Sequence, residues 1–375
     1  MPFTLLKTSP HSAARLGLLK TAHGEVPTPI FMPVGTTASV KAVSPRDLQE
    51  MNAKIILANT YHLHLRPGTP LIAKMGGIHK FCGWNGPVLT DSGGFQVWSL
   101  KELRKIKENG VEFRSHLDGS KHFFSPESVM QAQREIGADI IMAFDECTPF
   151  PSTEGQAQKS LDYTKRWTRA AKEWLTQNPP LHGWEQKFFG IIQGGMHQEL
   201  RLQSIEELKQ IEPDGYAIGG LSVGEPEETM YKMASFCTQH IPATHPRYIM
   251  GVGTPWNMLE LIIRGIDMFD CVMPTRNARN GMLFTSRGIL HYKSATHKEE
   301  EAPIDEACDC YTCRNFSRAY LRHLIHSGEL LALQLSSIHN LHFYLNLMQQ
   351  TRQKISEGNF EGWAAEQIPL LRTPL

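Results

Sequence analysis

A carboxylate and two guanidinium groups lie close together in the segment 268–281, MFDCVMPTRNARNG. Asp270 ends a short apolar run, and Arg276 and Arg279 follow after a turn-forming proline. An acid beside two arginines indicates a reactive group next to a surface that binds anions. We therefore expect Asp270 to take part in chemistry and the two arginines to bind phosphate groups.

Two further aspartates end apolar runs in the same way. Asp91 opens the segment DSGGFQ, and Asp145 lies in FDEC. The glycines after Asp91 let the backbone approach a ligand closely. In a glycosyl-transfer site one carboxylate attacks the anomeric carbon and a second one moves protons. A single aspartate of this kind often caps a helix or pairs with an arginine, whereas three together favour a catalytic site.

Neutral hydrogen-bonding groups accompany these acids. Gln193 lies in IIQGG, and Gly219 and Gly220 lie in IGGLSVGE. An amide, a carboxylate and exposed backbone groups match the donor and acceptor edge of a purine base. Phe95 and Met250 are candidates to sandwich the faces of that base, although each alone is more typical of a core residue.

Three of the seven cysteines cluster near the C-terminus. Cys308, Cys310 and Cys313 have the spacing of a tetrahedral zinc site that one histidine completes. His339, in the helix-like segment SSIHN, is the preferred fourth ligand. The alternatives are His323, His326 and His342. Four protein ligands leave no open position, so we predict a structural zinc ion; a reduced cluster without metal is the other interpretation.

Two more polar segments have both a functional and a structural interpretation. Arg314, Arg318 and Arg322 recur every fourth residue, which places them on one face of a helix. Such a face can bind a phosphate backbone or simply be solvated. The histidines of the segment 61–64, YHLH, are more typical of hydrogen-bonded structural residues than of metal ligands.

Eight short apolar runs, each followed by glycine or a polar residue, are the candidate strands. They cover residues 30–36, 55–60, 87–94, 139–146, 188–195, 216–222, 248–253 and 268–274. Most are continuous rather than alternating, which predicts strands buried on both faces of a parallel sheet. Helix-compatible segments lie between them, at 44–51, 126–136, 156–177, 198–210, 227–240 and 255–264.

This alternation predicts an α/β fold, a (β/α)₈ TIM barrel. An open doubly wound sheet is less well supported, because no G-x-G-x-x-G turn follows the first strand. Barrel enzymes assemble their sites at the C-terminal ends of the strands. Six candidate strands end in a residue that could line such a site, namely Asn59, Asp91, Asp145, Gln193, Gly219 and Asp270.

Two segments interrupt the alternation and are predicted to be hairpins. The first covers residues 110–124, with a turn at LDGS, and the second covers 280–292. We therefore predict a catalytic barrel over residues 1–280 with an inserted hairpin near 110–124. A hairpin and zinc-binding subdomain over 281–350 and a C-terminal tail over 351–375 would follow.

The composition limits the classes of protein to which the chain can belong. Formal net charge is zero, so any contact with nucleic acid must come from a local patch rather than from bulk attraction. The sequence shows neither the apolar region of a signal peptide nor a run that could span a bilayer. We therefore expect a cytoplasmic protein without membrane contact, in which the scattered cysteines are free thiols.

Taken together, the motifs resemble the bacterial members of the queuine tRNA-ribosyltransferase family, the tRNA-guanine transglycosylases. The resemblance rests on DSGGFQ, FDEC, IIQGG, IGGLSVGEP, MGVGTP, FDCVMPTRNARNG and CDCYTCRN with IHN, in this order over nearly the whole chain. It implies a TIM barrel with a zinc-binding appendage. It also implies an enzyme that exchanges guanine at the anticodon wobble position of tRNA for a 7-deazaguanine base.

The resemblance implies a role for each matching residue. Asp270 would be the nucleophile that forms a covalent tRNA–enzyme intermediate, and Asp91 the general acid/base. Arg276 and Arg279 would contact the anticodon loop. The implied base-binding residues are Asp91, Phe95, Asp145, Gln193, Gly220, Leu221 and Met250. The implied zinc ligands are Cys308, Cys310, Cys313 and His339.

The resemblance also implies which base enters and how the chain assembles. Val223 stands where bacterial members have valine and the eukaryotic catalytic subunit has glycine, so the incoming base would be the small 7-aminomethyl-7-deazaguanine precursor. Cys147 follows the bacterial pattern, and Phe95 replaces a tyrosine of some members. A homodimer through the zinc subdomain is expected. A non-catalytic RNA-binding subunit and a zinc hydrolase are the competing classes; the presence of both Asp91 and Asp270 argues against the first.

Overall fold

The computed structural model describes residues 2–100 and 104–375. In chain order the strands are β1 Phe3–Thr8, β2 Arg15–Thr21, β3 Gly24–Thr28, β4 Ile30–Pro33, β5 Ile56–Ala58, β6 Val88–Thr90, β7 Arg104–Lys107, β8 Gly110–Arg114, β9 Lys121–Phe124, β10 Ile140–Met142, β11 Lys187–Ile192, β12 Gly215–Ile218, β13 Arg247–Ile249, β14 Met268–Cys271, β15 Met282–Thr285 and β16 Gly288–His291. The helices are α1 Pro45–Glu50, α2 Thr60–Leu65, α3 Thr69–Lys74, α4 Ile78–Cys82, α5 Gly94–Ser99, α6 Pro126–Ile136, α7 Glu154–Gln177, α8 Gln198–Ile211, α9 Glu227–His240, α10 Pro255–Ile263, α11 Met273–Arg279, α12 Tyr311–Asn315, α13 Arg318–His326, α14 Leu330–Glu357 and α15 Phe360–Arg372.

Eight strands form one sheet in the order β4-β14-β13-β12-β11-β10-β6-β5. Every neighbouring pair is parallel, and a parallel bridge between Val34 and Leu57 joins the two edges. The predicted (β/α)₈ barrel and its eight strands are therefore confirmed. The strands are shorter than predicted, because the polar residues at their C-terminal ends leave the ladder and surround the mouth of the barrel.

The core has an inner and an outer layer. Phe31 of β4 faces outward, since its ring lies 4.8 Å from the ring of Tyr344 on α14. Side chains alternate along a strand, so Ile30 and Met32 face the barrel interior, where they belong to a buried cluster that also includes Met268. Asp270 lies two residues beyond Met268 and therefore points into the mouth.

The inserted hairpin is confirmed and gains a strand. β8 and β9 pair antiparallel across the predicted turn. β7 pairs antiparallel with β8, which makes a three-stranded sheet. Tyr61 and His64 of the YHLH segment tie α2 to this sheet and its turn. The Tyr61 hydroxyl contacts His116 Nδ1 at 2.8 Å, and His64 Nε2 lies 3.2 Å from His122 Nδ1. The structural interpretation of that segment is thus confirmed.

The structure also contains an N-terminal sheet, β1-β2-β3, which the sequence pattern does not predict. The second hairpin is confirmed as β15 and β16, which pair antiparallel. The predicted domain boundary at residue 350 falls inside α14, and α15 follows it and packs against α10. The division into domains therefore stays a prediction. No helix in the described ranges is long and apolar enough to cross a membrane.

Candidate active site and metal cluster

Asp91 follows β6 and is held by groups that follow the neighbouring strand β5. One carboxylate oxygen accepts a hydrogen bond from the side-chain amide of Asn59. The other accepts from the backbone N–H of Thr60 at 2.8 Å and from that of Gly93 at 3.2 Å. The Thr60 hydroxyl also donates to the Asp91 carbonyl at 2.5 Å. These donors fix the carboxylate, and none of them carries a charge.

Burial raises the pKa of Asp91 to about 6, although the hydrogen bonds from Asn59, Thr60 and Gln96 oppose this rise. The negative charge of Asp270 contributes to the rise, and both aspartates lie at the C-terminal ends of strands of the same barrel. A carboxyl group with a pKa near 6 is suited to give and take a proton near neutral pH.

Asp270 lies at the end of β14 and is held by the neighbouring strand β13 and the turn after it. Its Oδ1 accepts from the Tyr248 hydroxyl at 2.5 Å and from the Gly251 N–H at 2.8 Å. Burial raises the pKa of Asp270, while these two hydrogen bonds lower it. Among the described residues both bonds fall on Oδ1, which leaves Oδ2 available to a ligand.

Asp145 and Gln193 form a second polar pair at the mouth. Gln193 Nε2 donates to Asp145 Oδ2 at 2.8 Å, and the Ser92 hydroxyl donates to Asp145 Oδ1 at 3.2 Å. Burial raises the pKa of Asp145 to about 6, against these hydrogen bonds. Gln193 Oε1 is buried and has no partner among the described residues, so it is available to accept a hydrogen bond from a ligand.

The two glycines of IGGLSVGE leave room for this glutamine. A Cβ at Gly219 would lie 2.7 Å from Gln193 Nε2, and one at Gly220 would lie 2.6 Å from Oε1. Gly220 also has a φ of +64°, which favours glycine. Leu221, the next residue, is buried. The backbone therefore approaches the amide more closely than any side chain would allow.

The two candidate stacking residues differ in exposure. Phe95 is 50% exposed, and its ring stacks on Trp98 at a centroid distance of 5.3 Å. Met250 is partly buried, and its N–H donates to Ile218 O at 3.3 Å. An exposed aromatic ring at the mouth is available to a planar ligand. The sandwich of a base between these two side chains stays a prediction.

Arg276 and Arg279 lie on α11, directly after the strand that carries Asp270. Arg276 is exposed, and Arg279 is partly buried with its Nε donating to Thr275 O at 3.0 Å. Neither forms an ion pair with a carboxylate of the described residues. Both charges are therefore available to an anionic ligand beside Asp270.

The interpretation of Arg314, Arg318 and Arg322 as one basic helix face is wrong. Arg314 lies on α12 and the other two on α13, and Ser317 caps α13 between them. Arg318 is buried, where it pairs with Glu300 and donates to the carbonyls of Pro303 and Ile304. This arginine stabilises the loop before the cysteines.

The predicted metal ligands come together between the loop before α12 and α14. The donor atoms of Cys308, Cys310, Cys313 and His339 all lie within 4.8 Å of one another. His339 Nε2 donates to Phe284 O at 2.8 Å, so its Nδ1 lone pair faces the sulfurs, at 3.8, 3.7 and 3.3 Å. A tetrahedral zinc site has sulfur-to-nitrogen edges of about 3.6 Å, so the four side chains fit this metal.

Comparison with known proteins decides the family. The family model described as queuine tRNA-ribosyltransferase matches residues 10–370. A queuine tRNA-ribosyltransferase of Ruminiclostridium cellulolyticum is 53% identical over 364 residues, 97% of this chain and 96% of its own length. Those of Methylobacillus flagellatus and Staphylococcus aureus are 52% and 54% identical, over 98% and 94% of this chain and 97% and 92% of their own lengths. This chain belongs to the queuine tRNA-ribosyltransferase family.

Membership of the queuine tRNA-ribosyltransferase family confirms the family that the sequence motifs indicated. Sequence reasoning nevertheless missed several residues that build the site, above all Tyr248, Ser92 and the pair Asn59–Thr60. Asn59 was noticed only as a strand end. Tyr248 offered one signal, since it lies two residues before Met250 on the same predicted strand. Its contact with Asp270 depends on the pairing of β13 with β14, which a single sequence does not reveal.

Proposed function

We propose that this chain exchanges guanine at the anticodon wobble position of tRNA for 7-aminomethyl-7-deazaguanine, through a covalent tRNA–enzyme intermediate. As a member of its family it is a tRNA-guanine transglycosylase that replaces guanine in tRNA by a queuine precursor. The observation that supports this mechanism is the hydrogen bonding of Asp270. Tyr248 and Gly251 both donate to its Oδ1, which leaves its Oδ2 available, and its charge acts on Asp91.

In the first half of the reaction Asp270 Oδ2 attacks C1′ of the wobble ribose. The bond between C1′ and the guanine nitrogen breaks, its electron pair leaves with guanine, and protonated Asp91 supplies the proton that makes the base neutral. In the second half Asp91 takes the proton from the incoming base, whose nitrogen attacks C1′ and displaces Asp270. Two displacements retain the configuration at C1′.

Base recognition would use the second polar pair. The Asp145 carboxylate would accept N–H bonds from the base, and Gln193 would contact its polar edge beside the Gly220–Leu221 backbone. Phe95 and Met250 would cover the two faces of the ring. An anticodon loop is single-stranded, so turning out its base costs little. Arg276 and Arg279 would then hold flanking phosphates and set the register.

Asp270→Asn tests the nucleophile. The variant should lose the tRNA adduct that survives denaturing electrophoresis, and its rate of guanine exchange should fall by roughly 10³-fold or more. Asp162→Asn, at an exposed position on α7, is the matched control and should keep both. Incorporation of labelled guanine by Asp270→Asn at the wild-type rate would rule out this role.

We also propose that Zn²⁺ occupies the cysteine–histidine cluster and holds the C-terminal helices together. Four protein ligands supply structural cross-linking rather than an open catalytic position. Cys313→Ser should lose bound zinc, measured by elemental analysis, and should lower the melting temperature. Cys82→Ser, which is partly buried outside the cluster, should keep both. Equal zinc content in the two variants would contradict the assignment.

A homodimer through the zinc subdomain is supported by exposed apolar side chains on that subdomain. Tyr311 is 50% exposed, Tyr320 39% and Leu330 78%. Phe316 stacks on Tyr320 at 5.4 Å, which extends the apolar surface. Such a patch is typical of a protein interface. Tyr320→Glu should shift the sedimentation coefficient to that of the monomer, whereas an unchanged dimer would show that another surface is used.

A further inference from the structure

A polar cavity of about 150 Å³ lies away from the active site, between α14, the start of β4 and the turn before β5. Ile30 at the start of β4 and Lys54 before β5 line it, which places it toward the N-terminal end of these barrel strands. Arg352 and Lys54 line it, together with the amides of Asn52, Asn346 and Gln349. The proposed exchange reaction uses none of these residues.

Arg352 brings a positive charge into this cavity without an opposite charge beside it. The guanidinium is partly buried, and its Nη1 donates to Pro29 O at 2.6 Å. Burial lowers its pKa to about 10, so it remains charged at neutral pH. Within the described ranges no carboxylate pairs with Arg352. A charge held away from solvent is normally paired, and among the described residues this one has no carboxylate partner.

Lys54 adds a second positive charge at the same end of the cavity. The parallel bridge between Val34 and Leu57 fixes the register of β4 and β5. Counting back three residues from each, Phe31 on β4 is level with Lys54, which lies just before β5. Arg352 is bonded to Pro29, only two residues before Phe31. Lys54 also forms no ion pair among the described residues. The two cations therefore flank one space.

One acid, Asp309, also lines the cavity, and within the described ranges it pairs with neither cation. Asp309 is paired with His342 at 3.2 Å, and its side chain is 84% exposed. Gln349 lies one turn of α14 before Arg352, and Gln349 and Asn346 both line the cavity and can add hydrogen-bond donors.

We propose that this cavity binds a small oxyanion of the inorganic phosphate type, through the Arg352 guanidinium and the Lys54 ammonium. Arginine presents paired N–H donors that match two oxygens of such an anion. A volume of about 150 Å³ corresponds to about five water molecules, which matches the five heavy atoms of phosphate. A nucleotide needs a larger pocket. An RNA backbone phosphate has the same chemistry, and the experiment must separate the two sources.

The test compares melting temperatures in sodium phosphate and in sodium chloride at equal ionic strength. For wild type we expect phosphate to raise the melting temperature by about 2 °C or more at concentrations well above its Kd. Arg352→Gln should lose at least half of this rise. Arg46→Gln, an exposed arginine on α1, should keep it. Lys54→Gln gives the same test if Arg352→Gln does not fold.

Three results would overturn the proposal. The first is an equal melting temperature of the wild type in phosphate and chloride. The second is an equal response to phosphate in wild type, Arg352→Gln and Lys54→Gln. The third is a raised KM for tRNA in these variants without any response to free phosphate, which would assign the cavity to the RNA backbone. If the cavity binds a free anion, as proposed, the variants should keep the wild-type KM for tRNA.

Discussion

Asp267 and Asp270 lie at the two ends of β14 and are stabilised in opposite ways. Asp267 is fully buried and accepts two hydrogen bonds from the Arg15 guanidinium, at 2.5 and 3.0 Å, and one from the Arg247 N–H at 2.7 Å. Within residues 2–100 and 104–375, Asp270 accepts only from a tyrosine hydroxyl and a backbone N–H. The charge at the N-terminal end is neutralised, and the charge at the mouth is not.

β10 repeats this arrangement with Asp139 before it and Asp145 after it. Burial alone would raise the pKa of Asp139, but hydrogen bonds from His79, His23 and the Val88 N–H lower it overall. The donors to Asp145 in the described part of the chain are all neutral, and burial raises its pKa to about 6. Aspartates at the N-terminal end thus stabilise the barrel when ionised, whereas at the mouth an ionised aspartate costs stability.

Asp267→Asn should have the largest effect on stability. It leaves the buried Arg15 guanidinium without its opposite charge, which costs about 3–5 kcal/mol. The free energy of unfolding, measured by urea denaturation at neutral pH, should fall by that amount, while folded enzyme keeps its exchange rate. Asp270→Asn should show the reverse, with unchanged or higher stability and no exchange. Equal stability losses in the two variants would contradict the contrast between the ends of β14.

Asp91→Asn should stabilise the protein at neutral pH. A pKa raised from 3.8 to about 6 means that ionised Asp91 destabilises the fold by about 3 kcal/mol above pH 6. The free energy of unfolding of the wild type should therefore fall by about this amount as pH rises from about 4 to 6. Relative to the wild type, the variant should be more stable by about the same amount at pH 7.5 and equally stable at pH 4. The Asn59 side chain can rotate so that its amide oxygen accepts a hydrogen bond from the new amide at position 91. Denaturation curves at both pH values measure the difference.

Asp139→Asn is the matched variant at the other end. Because the pKa of Asp139 is lowered, its ionised form stabilises the fold above the unfolded pKa, and this stability is lost as pH falls. Asp139→Asn should therefore destabilise the protein at pH 7.5, and the loss should shrink toward acid pH. A gain at pH 7.5 would show that the histidines do not compensate the charge.

The sequence could predict the barrel and the strand ends because both depend on local patterns. Continuous apolar runs followed by Asn59, Asp91, Asp145 or Asp270 mark buried strands and their C-terminal ends. The partners of these acids are not local. Arg15 lies in a sheet that the sequence did not reveal, 252 residues from Asp267. Which aspartates are neutralised therefore depends on strand register and chain crossings that no short motif encodes.

Tyr248→Phe removes the only hydroxyl that anchors Asp270 among the described residues. A hydrogen bond to a charged group contributes about 1.5–3 kcal/mol, so the exchange rate should fall about 10- to 100-fold. This bond lowers the pKa of Asp270, so its loss should move the acidic limb of the pH–rate profile to higher pH. Tyr231→Phe, which loses a buried bond to Asn257 between α9 and α10, should change neither. A lower rate with an unshifted acidic limb would mean that Tyr248 supports the fold rather than the charge.

The smallest effect should appear in the affinity for the free base. In its proposed role Asp145 accepts N–H bonds from the base most strongly when it is ionised, and with a pKa of about 6 only about a tenth of it is ionised at pH 5. The Kd of guanine, measured by titration calorimetry without tRNA, should therefore rise about tenfold between pH 7 and pH 5. Asp145→Asn should bind more weakly at pH 7 and lose this pH dependence, while Asp162→Asn keeps it. A wild-type Kd that stays constant across this range would mean that Asp145, like Asp139, keeps its charge through acid pH, and the two ends of β10 would then be alike.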